Sequence, residues 1–162
     1  MKKDIGKKPR ILILGIGNDL CGDDGFGGSV VRMLSTQIDP EMADIENGGT
    51  LGLNLVWLME DYDIVFVVDS VKGIGKPGQV KRIEWSDMKQ QDACVRISLH
   101  ELGLAEATAL AFHAGWKVPK IVIFGVEPKT IQFGIQSLSE EVSLSVPMVS
   151  SLILQEVKNC SL

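Results

Sequence analysis

Short apolar runs rich in β-branched residues alternate along this chain with longer stretches in which apolar residues recur at helical spacing. The runs at 11–14, 64–68 and 121–124 lack polar alternation, which is typical of strands buried on both faces. The predicted extended segments are 11–14, 42–46, 64–68, 79–85, 95–99 and 121–124. Alternating strands and helices build βαβ units, so the pattern predicts a three-layer α/β fold, with a mainly parallel twisted sheet and helices on both faces.

Helical periodicity marks four segments between these runs. The predicted helices are 26–38, 51–60, 101–116 and 142–157. Pro147 lies inside the last of them and is expected to kink that helix or delay its start, because proline lacks the N–H that a helix interior requires. The glycine-rich connections at 15–25, 47–49 and 73–78 are predicted to be loops or turns.

Length and composition favour one ordinary globular domain. The 162 residues are predicted to form a single α/β domain over 1–162, with residues 1–10 as a short basic extension. A net charge of −5 without basic clusters argues against a nucleic-acid partner. Three widely spaced cysteines disfavour a disulfide framework or a cysteine zinc site. The first apolar run is too short for a signal peptide or a membrane span, so we expect a cytoplasmic protein with no membrane partner.

Acidic residues stand where the predicted strands end. Asp69 closes the apolar run 64–68, and Asp23 and Asp24 lie in the loop after the first strand. Ligand sites of parallel α/β sheets lie outside the carboxyl ends of the strands, so these carboxylates are candidates for one site. Structural roles remain open for each of them. The first two acids would complement the dipole of the following helix, and Asp69 would bond to the next loop.

His100 is one of two histidines, and it precedes a predicted helix. Ser98 and Glu101 fit a capping box, which would place His100 in the first helical turn. The positive end of the helix dipole disfavours a protonated imidazole there, and neutral imidazole is the form that binds metals. His113, late in the same helix, is expected at the surface. With two of the carboxylates, His100 could supply three ligands to a divalent metal, although spacing alone leaves open whether they meet.

The loop at 15–20, with the sequence Gly-Ile-Gly-Asn-Asp-Leu, starts like the glycine fingerprint of dinucleotide-binding folds. Leu20 stands in place of its third glycine, and the predicted helix begins too late to meet a pyrophosphate. A nucleotide-binding domain is therefore an alternative that the incomplete fingerprint disfavours.

An ordered set of short motifs extends from about Ile11 to Val157. The motifs are Gly-Ile-Gly-Asn at 15–18, Gly-Asp-Asp-Gly-Phe-Gly at 22–27, Gly-Gly-Thr at 48–50, Val-Asp at 68–69, Ser-Leu-His-Glu-Leu-Gly-Leu at 98–104 and Gly-Val-Glu-Pro at 125–128. In this order they resemble the motifs of the nickel-iron hydrogenase maturation endopeptidases, the HybD/HycI type. No single motif is specific, but the ordered set is.

The resemblance implies an endopeptidase that removes a short C-terminal extension from a hydrogenase large-subunit precursor after nickel insertion. It maps Asp24, Asp69 and His100 onto the family's metal-contacting residues, which would also be the catalytic residues of an enzyme classed with aspartic-type endopeptidases. The metal would be nickel carried by the substrate, with no tightly bound cofactor in the enzyme. Asn47 stands where relatives commonly have Asp, which implies an altered affinity or substrate choice. The candidate substrate contacts are Asp23, Asn47, Gly48, Gly49 and Thr50.

Two other classes of function stay open on the sequence. A self-contained zinc peptidase is disfavoured because the chain has no His-Glu-x-x-His pair, and one histidine with two acids is a weak zinc set. A non-catalytic chaperone that binds the hydrogenase large subunit would form a complex without shortening it. The alternatives therefore differ in what they predict for the metal and for the length of the substrate.

Overall fold

The computed structural model describes residues 8–88 and 99–160, which form a five-stranded sheet covered by helices on both faces. The strands are β1 (Ile11–Ile16), β2 (Asp44–Gly49), β3 (Ile64–Ser70), β4 (Val80–Glu84) and β5 (Lys120–Val126). In space they follow the order β2-β1-β3-β5-β4. All neighbouring pairs are parallel except β4 with β5, so the predicted edge strand is the antiparallel one.

Helices and 3-10 turns connect these strands. The α-helices of the described residues are α1 (Phe26–Leu34), α2 (Leu55–Met59), α3 (Trp85–Met88), α4 (Leu99–His113), α5 (Glu140–Ser143) and α6 (Ser145–Cys160). Two 3-10 turns lie at Gly22–Gly25 and Gly52–Asn54. None of these helices is long and apolar enough to cross a lipid bilayer.

Two apolar cores lie on the two faces of the sheet, because successive side chains of a strand point to opposite faces. Ile11 and Ile13 of β1 pack with the buried residues of α1 and α6. Leu12 and Leu14, their neighbours in the same strand, pack with α2 and α4. The strands are therefore buried on both faces, and the predicted three-layer α/β fold is confirmed.

The largest difference from the sequence prediction concerns β2. The segment 47–49 was predicted to be a turn, but β2 continues through Gly49. Asn47 pairs with Gly15 of β1, and a register shift then sets Gly49 opposite Ile16. The turn prediction was wrong because glycine and asparagine have low strand propensity, whereas pairing with the buried β1 holds this segment extended.

All four predicted helices end or begin elsewhere in the structure, and the one predicted at 101–116 is α4, Leu99–His113. The first stops at Leu34 and not at residue 38, and the segment 51–60 divides into the 3-10 turn and the short α2. The last predicted helix begins as α5, and its long part, α6, starts at Ser145. Pro147 is thus the third residue of α6, where the N–H that it lacks would have no intrahelical partner. The predicted delay is confirmed, and proline sits in the first turn and not inside the helix.

Parts of two sequence predictions fall outside the described residues. Of the basic extension 1–10, only residues 8–10 are described, and Arg10 N–H donates to Asp63 Oδ2 at 2.8 Å just before β3 begins. Of the extended segment 95–99, only Leu99 is described, and it begins α4. The capping residue Ser98 also lies outside the described residues.

Candidate active site

Asp24 is held close to the carboxyl end of β3 by the short connection between β1 and α1. It lies in the 3-10 turn Gly22–Gly25 and is 4% exposed. Ser70 Oγ donates a hydrogen bond to its Oδ1 at 3.0 Å, and the N–H of Asn18 donates to its Oδ2 at 2.9 Å. A carboxylate this deeply buried needs such donors, because an unpaired buried charge is strongly destabilising.

Asp69 is the penultimate residue of β3 and is fully buried. Its backbone pairs with Gly125 of β5, so it lies near the carboxyl end of β3, the central strand of the sheet. The N–H of Ser70 donates to its Oδ1 at 2.8 Å. Ser70 therefore contacts both acids, one through its backbone and one through its hydroxyl. Asp24 and Asp69 thus both bond to Ser70, at the sheet edge where parallel α/β folds place their sites.

His100 is the second residue of α4. The first turns of α4 pack against the 3-10 turn after β2, since a Cβ on Gly103 would lie 2.7 Å from Gly52 Cα. The side chain of His100 is outside the described residues. Where side chains are described, no three His, Cys, Asp or Glu residues are close enough to hold a metal ion. The meeting of His100 with the two acids therefore stays a prediction.

Asp23 points away from this pair and into the interior of the protein, where it is 1% exposed. Its carboxylate accepts hydrogen bonds from three backbone N–H groups and one hydroxyl at 2.7–3.0 Å. The donors are Lys129 N, Thr130 N, Ser139 N and Ser139 Oγ. The structure thus gives Asp23 an internal role as the anchor of the 129–139 loop, and a substrate contact at Asp23 stays a prediction.

Replacement of Asp23 by Ala is expected to lower the free energy of unfolding by about 3 kcal/mol, because three part-buried N–H groups and one hydroxyl lose a charged acceptor. Urea denaturation monitored by circular dichroism measures this change. Asp39→Ala is the control, since exposed Asp39 accepts a single local bond from Glu41 N–H. Its expected change is within about 0.5 kcal/mol. Equal stability of the two variants would contradict the anchoring role.

An open, mostly polar cleft of about 270 Å³ lies beside Asp24. Its lining residues are Gly17, Asn18, Asp19, Asn47, Gly49 and Thr50. The N–H of Gly17 donates to the carbonyl of Gly49 at 2.9 Å and joins the two walls. Asn18 connects the cleft to Asp24, because its N–H donates a hydrogen bond to the Asp24 carboxylate. The cleft is therefore continuous with the backbone that positions the candidate active site.

Three of the predicted substrate contacts, Asn47, Gly49 and Thr50, line this cleft. Gly48 is buried, and a Cβ there would lie 2.9 Å from a methyl group of Leu14. The cleft contains one acidic residue, Asp19, which is paired with Arg32 at 2.6 Å. The three cleft residues are thus accessible to a ligand, whereas Gly48 is buried against the side chain of Leu14.

Ser70 and Asn18 are site residues that the sequence analysis did not single out for these contacts. Each stands next to a motif residue that it did identify, Ser70 after Asp69 and Asn18 after the glycines of the first loop. Both residues lie at the carboxyl edge of the predicted sheet, and this position could have identified them as candidate site residues from the sequence. Their bonding to Asp24 required the three-dimensional arrangement of β1, β3 and the 3-10 turn.

Comparison with known proteins finds relatives over most of the chain. A family model, HycI, described as hydrogenase maturation protease, matches residues 29–156. The hydrogenase expression/formation protein HupM of Azotobacter chroococcum is 34% identical over 138 residues, which are 85% of this chain and 66% of that protein. The hydrogenase 2 maturation protease of Escherichia coli is 30% identical over 125 residues, 76% of this chain and 76% of that one. The chain thus spans slightly less than two thirds of HupM.

A solved structure has the same architecture. The hydrogenase maturating endopeptidase HybD from Escherichia coli superposes with a TM-score of 0.81 and 26% sequence identity, over 93% of this chain and 93% of that chain. The similarity in fold therefore covers nearly the whole chain. The matched family model and the relatives of at least 30% identity lead to one conclusion: this chain belongs to the hydrogenase maturation protease family.

Proposed function

We propose that this protein is an endopeptidase that removes a C-terminal extension from a nickel-iron hydrogenase large-subunit precursor after nickel insertion. The observation that carries the proposal is the junction of Asp24 and Asp69 through Ser70, beside an open polar cleft. A buried carboxylate stays charged only where hydrogen bonds or charged groups stabilise it, and both acids accept hydrogen bonds from Ser70. Membership of the maturation protease family supports a peptidase, and the cleft offers an extended peptide a place to lie next to these acids.

In the proposed recognition step, Asp24, Asp69 and His100 contact nickel that the precursor carries. Two carboxylates and one neutral imidazole are a suitable set for a divalent transition metal already held by other ligands. Neutral imidazole is the form of His100 that would contact the metal. The nickel belongs to the substrate, and no tightly bound cofactor of the enzyme is proposed.

Nickel contact would position the scissile peptide bond near the acids, and such positioning lowers a reaction barrier substantially. A water molecule, activated by a carboxylate or by the metal, attacks the carbonyl carbon of that bond. The C–N bond then breaks, the new carboxyl group keeps the water oxygen, and the leaving amine takes up a proton. Asp24 and Asp69 act in this scheme as metal contacts and as the acidic groups nearest to the reacting water.

Asn47 is proposed to influence substrate choice. Its Oδ1 accepts the N–H of Gly49 at 3.2 Å, which orients the side chain in the cleft wall. Because Asn47 is neutral and Asp19 is paired with Arg32, the cleft offers little net charge to a peptide. We therefore expect the enzyme to prefer uncharged side chains in the part of the extension that contacts Asn47.

The decisive experiment incubates the enzyme with nickel-loaded and with nickel-free precursor and measures the mass of the large subunit. We expect shortening of the loaded precursor only, because the metal is what positions the scissile bond. His100→Ala is expected to leave the loaded precursor at full length. His113→Ala, at the other end of α4, is the matched control and is expected to process normally.

Each alternative has its own signature in this experiment. Complex formation without any shortening would support a non-catalytic chaperone and overturn the peptidase proposal. Cleavage of nickel-free precursor together with stoichiometric zinc in the enzyme would support a zinc peptidase. Thermal stabilisation by a dinucleotide would support the nucleotide-binding alternative, since a ligand selective for the folded state raises its stability.

A further inference from the structure

Exposed apolar side chains lie on the two segments that surround the turn carrying Asp24. Leu20 is 46% exposed, and on the 129–139 loop Ile131 is 36% and Phe133 is 76% exposed. We refer to these three residues as the rim patch. A phenylalanine this accessible has an energetic cost in water that burial against another surface would remove.

The two segments of the rim patch are fixed to each other by backbone contacts. The N–H of Gly134 donates to the carbonyl of Leu20 at 2.8 Å, and the N–H of Gly22 donates to that of Ile135 at 2.6 Å. Cys21 and Ile135 form a parallel β-bridge. Asp23 anchors the same loop, as described above. The rim patch therefore has a fixed position relative to Asp24, which lies four residues after Leu20 in the chain.

The rim patch is also continuous with the polar cleft. Residues 17–19 line the cleft, and Leu20 is the next residue along the chain. On the opposite wall, Thr50 lines the cleft and is followed by exposed Leu51. A peptide that lies in the cleft would thus leave the remainder of its own protein next to apolar surface.

We propose that the rim patch is the docking surface for the folded body of the large-subunit precursor, while the precursor's C-terminal segment occupies the cleft. This inference rests on the proposed function. Stable protein interfaces use roughly 20–30 residues on each side, whereas six residues line the cleft. Surface beyond the cleft is needed for recognition, and the rim patch adjoins it. Aromatic side chains often dominate such interfaces, which makes Phe133 the expected anchor.

Apolar side chains at the far end of α4 supply a matched comparison. Phe112 is 74% exposed, close to the value for Phe133. It lies twelve residues beyond His100, roughly 18 Å along the helix. The chain that follows it leads to the amino end of β5, so Phe112 is at the sheet edge opposite to the candidate active site. A general effect of removing exposed apolar surface would appear in both positions.

The test compares Phe133→Ser with Phe112→Ser in steady-state processing of nickel-loaded precursor. We expect Phe133→Ser to raise KM by about tenfold to thirtyfold with kcat changed less than twofold, since docking and not chemistry is weakened. Phe112→Ser should match the wild type in both constants. The comparison is repeated at lower exposure with Leu20→Ser and its control Leu110→Ser. The replaced side chains are 46% exposed at Leu20 and 43% exposed at Leu110. Melting temperatures of all variants check that they are folded.

An unchanged KM for both Phe133→Ser and Leu20→Ser would overturn the docking proposal. The same conclusion would follow if sedimentation showed that Phe133→Ser dissociates a wild-type dimer without changing KM, because the patch would then serve self-association. A wild-type enzyme that does not shorten the precursor at all would instead overturn the proposed function. In that case a pull-down of precursor with wild type and Phe133→Ser still tests the docking surface by itself.

Discussion

Asp69→Asn is expected to slow processing of nickel-loaded precursor severely and to leave the protein folded. The amide has nearly the same shape as the carboxylate, and its oxygen can still accept the N–H of Ser70. What is lost is the negative charge that would contact the metal and the developing charges of the reaction. Charge stabilisation of this kind contributes several kcal/mol, so we expect the rate to fall by roughly a thousandfold. Mass spectrometry of the large subunit over time measures it.

The control for this experiment lies at the other end of the same strand. Asp63 immediately precedes β3, accepts the N–H of Arg10 at 2.8 Å and is paired with Lys117. Asp63→Asn therefore removes a partly exposed charge at the amino edge of the sheet, and processing is expected to remain at the wild-type rate. Equal losses in Asp69→Asn and Asp63→Asn would indicate a general effect of charge and contradict the assignment of Asp69.

Gly17→Ala is expected to destabilise the protein by more than about 3 kcal/mol or to prevent folding. Gly17 has φ +124°, a conformation that side chains rarely adopt and that costs about 1–3 kcal/mol. In addition, its Cβ would lie 1.9 Å from the carbonyl oxygen of Asp24, so backbone would have to move. Any folded fraction should process slowly, because the displaced backbone carries Asp24. Urea denaturation and the processing assay measure the two effects.

Gly115→Ala separates the two contributions. Gly115 also has a positive φ, +72°, but a Cβ there would meet no atom within 4 Å. It should therefore show the conformational cost alone, about 1–2 kcal/mol, with unchanged processing. If Gly17→Ala were no more destabilising than Gly115→Ala, the close approach of the first loop to Asp24 would not be a determinant of stability.

The layers of the fold were predictable because unbroken apolar runs leave few other arrangements. The runs that became β1, β3 and β5 could only be buried on both faces, and alternation with helices then requires crossovers and a parallel sheet. The same rule predicts that the acids at 23–24 and Asp69 lie at the carboxyl edge of the sheet. General properties of α/β folds were therefore sufficient to indicate this edge, before any side-chain contact was known.

Features that depend on distant partners were not predictable. Asp23 and Asp24 are adjacent acids of the same type, and no local pattern distinguishes the structural one from the site residue. The distinction arises from Lys129, Thr130 and Ser139, which lie more than a hundred positions away. The extension of β2 through Gly49 has the same origin, because pairing with β1 overrides the weak strand propensity of its residues.

The opposite orientations of Asp23 and Asp24 constrain the length of the chain around them. One residue added or removed between β1 and α1 would displace the two carboxylates relative to Ser70 and to the 129–139 loop, so at least one of these partners would lose its acid. Stability or processing would then fail, even though no residue type had changed. The connection 35–43 joins α1 to β2 and is mostly exposed apart from Ile38 and Ala43, and none of its described side chains bonds to the candidate site. Insertions, fusion tags and permuted termini therefore belong in that connection, and the eleven residues from Gly15 to Gly25 must be kept at their present length.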